Sequence, residues 1–280
     1  MNLVKLVKLS KSLISLNSLN TLLTKKANGQ RPKAKSQKKM IYHLGTVGST
    51  NDVARGAQYH DGDIVWADFQ TAGRGQRGHT WESHSGENLT FSVLLEPTFL
   101  PVKEQFMLLE AVALALVDFF AEQGVDTAVK WTNDIYVGDR KAVGILIEHT
   151  YYGSSLARTV AGIGINVNQT EFSADIPNPV SLKLLTGKNY DLDSLLRSFE
   201  HCLAERYRQL REGEWDRLQR DYHASLYRLN EWHTYALPDG KSFEGAIRGV
   251  QPTGELIVED RKGAKNGYLF KEIEFVIAKN

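Results

Sequence analysis

The chain has 280 residues, of which 42% are hydrophobic and 24% charged, with a formal net charge of +1 and a single cysteine. These proportions exclude a fibrous or wholly disordered chain and leave room for one large domain plus a small one. The lone Cys202 excludes an internal disulfide and fits a reducing compartment.

The near-neutral total hides an uneven distribution. Residues 1 to 40 carry nine lysines, Arg31 and no acid, which leaves 24 basic against 33 acidic residues in the remainder, a net of −9. A one-sign segment without aromatics buries too little surface to order, so residues 1–39 are expected to be a disordered or non-native extension, with Met40 as the functional start. With one arginine it does not match an arginine-rich transit peptide, and its apolar residues are too interrupted for a secretory core. No stretch approaches the roughly 20 apolar residues of a membrane span. A soluble, cytoplasmic protein is expected.

Beyond Met40 the pattern predicts mixed α and β elements. "DIVWADFQ" (63–70) and "NLTFSVLLEP" (88–97) alternate as strands. "KEQFMLLEAVALALVDFFAEQG" (103–124) reads as a core helix closed at Gly124. Strands are expected at 127–137, 141–152 and 155–167, joined by turns at Gly138-Asp139 and Gly153-Ser154, and such short turns favour antiparallel pairing. Pro177 and Pro179 mark a loop, and 191–226 reads as a polar-faced helix pair. From Trp232 the short strands "TYAL", "SFEGAIRGV", "GELIVED" and "KEIEFVIA" predict a small β-barrel domain.

The loop "QTAGRGQRGHTW" (70–81) sets three glycines and two arginines ahead of a tryptophan. Glycine permits close backbone approach, and Arg74 and Arg77 add fixed charge suited to carboxylate or phosphate. No Gly-Lys-Ser/Thr follows and no parallel βαβ unit surrounds it, so it is neither a phosphate-binding P-loop nor a dinucleotide fingerprint. Alone, it reads equally well as a flexible surface loop.

Its companions change the weighting. "GSTNDVA" (48–54), "KWTNDIYVGDRKAVGILIE" (130–148) and "GIGINVN" (162–168) accompany the loop in an order and spacing that resembles the biotin protein ligases over residues 41–280. The resemblance implies an α+β fold with a mixed, largely antiparallel sheet, akin to class II synthetases, in a catalytic domain at 41–228. It also implies an SH3-like β-barrel at 232–280. It implies a two-step reaction, in which ATP and biotin give biotinyl-5′-AMP and the biotinyl group then passes to a lysine of a biotin carboxyl carrier domain, with Mg2+ accompanying the nucleotide.

By the same resemblance Ser49, Thr50, Asn51, Gln70, Arg74, Gly75, Gln76 and Lys141 hold biotin, while Arg74, Arg77, Trp81, Asn133 and Asn166 meet the nucleotide. Lys141, Arg74 and Asp134 carry the chemistry, no protein metal site is expected, and the enzyme is expected as monomer or homodimer without specific DNA. Each residue also has a plain structural reading: Thr50-Asn51 as a helix N-cap, Trp81 and Trp131 as core aromatics, Asn166 as a turn former, Lys141 as a solvated hairpin residue. Trp131 is expected to be largely structural. Thr132 stands where the family commonly has proline, Gln76 where some members have a second arginine, and His79 where another basic residue often stands. These departures bear on the electrostatic strength of the loop.

Three other readings exist. A lipoate ligase or octanoyl transferase shares the fold, but the intact loop and appended barrel favour biotin. A DNA-binding regulator needs more than residues 1–39 for a helix-turn-helix module. A non-catalytic carrier-binding module does not need Lys141.

Overall fold

The structure is a computed structural model, which describes residues 39–278 apart from the side chain of Arg77. The expected extension at 1–38 lies outside the described residues.

Seven strands form the main sheet in the order β1-β2-β3-β7-β6-β5-β4: β1 (Ile41–Val47), β2 (Ile64–Gln70), β3 (Leu89–Leu95), β4 (Ala128–Lys130), β5 (Asp134–Val137), β6 (Arg140–Tyr152) and β7 (Ser155–Ile165). Every pair is antiparallel except β1 with β2, whose crossover carries the short helix α1 (Thr50–Ala54). With that one parallel pair the sheet is mixed and largely antiparallel, as the resemblance implies.

One face of the sheet is the core. Phe91 and Val93 of β3, Val143 and Ile145 of β6, and Ile163 and Ile165 of β7 are at most 3% exposed. They join a cluster with α2 (Phe106–Glu122), where buried residues run all the way round, as expected of a central core helix. Next in the chain is the short α3 (Leu182–Thr186). Over α2 packs α4 (Leu192–Glu212), amphipathic through Leu195, Phe199, Leu203 and Leu210, and α5 (Trp215–Ala224) follows it. The capping of α4 accounts for its bounds: Asp191 accepts a bond from Ser194 N, and Gly213 takes a left-handed φ of 82°. Cys202 is buried in α4, its thiol pushed up to about 12 by burial, which fits a small core residue.

The predicted strand 127–137 is instead a hairpin of β4 and β5 folded at Trp131–Asn133, which sets Lys130 opposite Asp134. Five strands make the second sheet: β8 (Trp232–Ala236), β9 (Ser242–Val250), β10 (Leu256–Asp260), β11 (Lys265–Tyr268) and β12 (Glu274–Phe275). They pair antiparallel in the order β11-β10-β9-β8-β12 where the barrel was expected. The expected strand "KEIEFVIA" contracts to β12, and β11 forms where turn residues were expected. Trp131 joins the two sheets: it is 5% exposed, donates Nε1–H to the Gly254 carbonyl at 3.0 Å, and meets the Phe270 ring edge-on. It is structural, as expected. His223 of α5 adds a bond to the Val250 carbonyl at 2.9 Å.

A carboxyl lies in the middle of this core. Glu110 of α2 is 1% exposed, and burial pushes its pKa from 4.5 up to about 7. The folded chain therefore keeps a proton that the unfolded chain releases, and stability falls as pH rises from 4.5 to 7. In denaturant melts, Glu110→Gln should gain on the wild type by about 3 kcal/mol across that window. A pH-independent difference between the two would contradict this.

Candidate active site

The other face of the sheet is bare where β6 meets β7. Gly144 lies opposite Gly164, and Leu146 opposite Gly162. A Cβ on Gly164 would sit 2.2 Å from Trp81 Cε2, one on Gly144 2.9 Å from Trp81 Cζ3, and one on Gly162 2.2 Å from Asn51 Oδ1. The sheet thus admits an indole and a carboxamide against its backbone because these positions carry no side chain.

The loop that delivers Trp81 is a tight hairpin. Gly75 N donates to His79 O at 2.7 Å, Trp81 N to Gly73 O at 3.0 Å, and residues Gln76–Gly78 form a 3-10 turn closed by His79 N on Gln76 O. The backbone amides of Gly75, His79 and Trp81 are therefore used within the hairpin. The Arg74 guanidinium is also partnered, 2.8 Å from Asp52 Oδ1 and 3.3 Å from Glu148 Oε2.

Beside Arg74, α1 and the residue before it bring Ser49, Thr50 and Asn51 in at 3–4% exposure. Ser49 is the N-cap residue, without a side-chain cap bond, so the capping reading of Thr50-Asn51 does not hold. Thr50 donates its N–H to Gln70 Oε1 at 2.8 Å, and its hydroxyl lies 3.1 Å from the same oxygen. Ser92 of β3 lies within hydrogen-bond distance of both Thr50 Oγ1 and Asn51 Oδ1.

Lys141 reaches the same cavity through a register shift. The pairing of β5 with β6 slips between Ile135 and Tyr136, so Lys141 does not share the core-facing side of Val143 but lies on the side of Gly144. Its ammonium is 2.7 Å from Asp134 Oδ1 and 5.9 Å from the centre of the Trp81 ring. Asn133 and Asn166 bond backbone carbonyls, of Ile145 at 2.7 Å and Val180 at 3.2 Å, so both amides brace the walls they line.

Every residue expected at the site except Arg77, whose side chain lies outside the described residues, lines one cavity of about 490 Å³. Four participants were missed. Lys130 lines the cavity with its ammonium 4.7 Å from the Phe275 ring of β12, and burial lowers its pKa. Its signal was its place at the head of "KWTND". Glu148 follows the alternation Gly144, Leu146, Glu148 along one face of β6, while Asp52 and Arg55 flank it from α1 and its C-terminal end.

The glycine floor makes a direct prediction. Gly164→Ala should lift the indole off the sheet and raise acrylamide quenching of tryptophan fluorescence, with the melting temperature within a few degrees of wild type. The same change in a Trp81→Phe background should leave quenching unaltered. Equal quenching in all variants would mean that Trp81 does not rest there.

A family model described as the biotin/lipoate A/B protein ligase family matches residues 45–166. The bifunctional ligase/repressor BirA of Bacillus subtilis is 30% identical over 246 residues, which cover 82% of this chain and 72% of that protein. A biotin–[acetyl-CoA-carboxylase] ligase of Mycobacterium tuberculosis is 29% identical, over 76% of this chain and 80% of its own. Against the BirA of Bacillus spizizenii, at 32% identity, the chain spans 65% of the relative's length. Among solved structures, the biotin protein ligase of Aquifex aeolicus in complex with biotin and ATP superposes with a TM-score of 0.73 at 25% identity, covering 86% of this chain and all of that one. With its four motifs gathered on one cavity and a likeness that runs through both sheets, the chain belongs to the biotin protein ligase family.

Proposed function

We propose that the chain is an ATP-dependent biotin ligase that forms biotinyl-5′-AMP and transfers the biotinyl group to a lysine of a biotin carboxyl carrier domain. The observation that carries this reading is the placement of the Lys141–Asp134 pair and Arg74 in the cavity that also holds the Thr50–Gln70 network. The cavity combines neutral donors and acceptors suited to a ureido ring with cations suited to a carboxylate meeting a phosphate.

In the first step a biotin carboxylate oxygen bonds to the α-phosphorus of ATP, and the bond to the β-phosphate breaks to release pyrophosphate. Two anions approach each other, so the cost is repulsion and the charge that builds on the phosphoryl oxygens. Lys141 stands where it can exchange Asp134 for those oxygens, and Arg74 can exchange Asp52 in the same way. Trp81 supplies an apolar wall, and the hairpin that carries it limits access of water to the mixed anhydride. In the second step a carrier lysine amine attacks the acyl carbon, AMP leaves as the acyl–phosphate bond breaks, and the amine's proton passes to water. Asp134, released from Lys141, would orient that amine.

Magnesium enters with the nucleotide. Among the described residues no group of three or more His, Cys, Asp or Glu is arranged to hold a metal. The cavity presents isolated oxygen donors, Asp134, Glu82 and Asp175, which suits a cation carried mainly by phosphates. A cytoplasmic setting is part of this reading; among the described residues no helix is long and apolar enough to cross a membrane.

Lys141→Ala should lower biotin-dependent pyrophosphate release by at least about a hundredfold while the melting temperature stays close to wild type. Near-wild-type release from the folded variant would make Lys141 a bystander.

A further inference from the structure

Asn51 is buried against Gly162 and lines the cavity, so which end of its carboxamide faces which neighbour decides what a ligand meets. One end lies 2.7 Å from Glu148 Oε2 and the other 2.6 Å from Ser92 Oγ. A hydroxyl both donates and accepts, and Ser92 also has Thr50 Oγ1 at 2.7 Å, so Ser92 imposes no direction on the amide. A carboxylate only accepts. An amide oxygen turned towards it would set two acceptors in contact, so the NH2 end must face Glu148.

The charge of Glu148 is balanced by Arg55, 2.8 Å from Oε1, and by Arg74, 3.3 Å from Oε2. One carboxylate oxygen therefore contacts both the Asn51 amide and the Arg74 guanidinium. Glu148 itself does not line the cavity and acts only through these partners.

We infer that Glu148 is a positioning residue: by fixing the orientation of Asn51 it sets the donor–acceptor polarity with which the site reads the cyclic urea of its substrate. This deepens the proposed biotin ligase reading and rests on it. A urea presents N–H donors and a carbonyl acceptor in fixed order, so an amide free to flip matches it only part of the time. Glutamine at 148 is both donor and acceptor and removes the constraint while keeping shape.

The test is calorimetric binding of biotin and of MgATP to the full chain carrying Glu148→Gln, in the wild-type and the Arg74→Ala backgrounds. Biotin Kd should rise about tenfold in both backgrounds, and MgATP Kd should stay within twofold. Glu148→Asp, still an acceptor only, should recover most of the biotin affinity, and serves as the informative variant if the glutamine form does not fold. Unchanged biotin Kd, equal weakening of both ligands, or an effect that vanishes in the Arg74→Ala background would overturn the inference, the last by showing that Glu148 works through the arginine alone. Absence of biotin binding by the wild type would instead sink the proposed function.

Discussion

The site depends on a patch of sheet without side chains. Strands β6 and β7 are paired over most of their length, and where Gly144, Gly162 and Gly164 meet, backbone replaces the layer of side chains that a sheet face normally carries. Trp81 and Asn51 come from different parts of the chain, yet both rest on that patch, and the cavity is the space left around them. Any Cβ at these positions would displace one of them. The opposite face of the same strands is close-packed on α2, so the floor is rigid and the variable parts are the loop and α1 laid over it.

On this floor the charges come already matched. Lys141 lies on Asp134, and Arg74 on Asp52 and Glu148. An arrangement of cations without partners would repel itself and cost stability. With carboxylates interleaved, the cations stay in place and an anionic substrate has only to replace one partner by another. Lys130 completes the set from the β4–β5 hairpin, and the Phe275 ring of the second sheet lies 4.7 Å from its ammonium. The C-terminal sheet thus touches the cavity rather than hanging from it, through Phe270 and the Trp131–Gly254 bond.

Much of this was legible in the sequence, for physical reasons that differ by element. The helix at 106–122 and the long strands β6 and β7 declared themselves by sustained apolar periodicity and glycine turns. Missed were β1, as long as β2 but with no buried residue to mark a core face, and the break of 127–137 into two strands at Trp131–Asn133, while the five-residue α1 was foreshadowed only by the capping reading of Thr50-Asn51. The residues that the motifs marked for the site nearly all line one cavity. What the motifs could not convey was pairing. That Arg74 leans on Glu148, 74 positions later, or that a slip at Ile135 turns Lys141 to the cavity face, depends on register between strands and not on spacing along one.

The proposed reaction requires this cavity to activate and transfer biotin. It can be read from the intact mass of a biotin carboxyl carrier domain after incubation with the full chain, ATP and magnesium, with biotin in one sample and lipoate in another. A biotin ligase adds one biotinyl group in the first sample and leaves the carrier unchanged in the second. A lipoyl shift without a biotinyl one would contradict it.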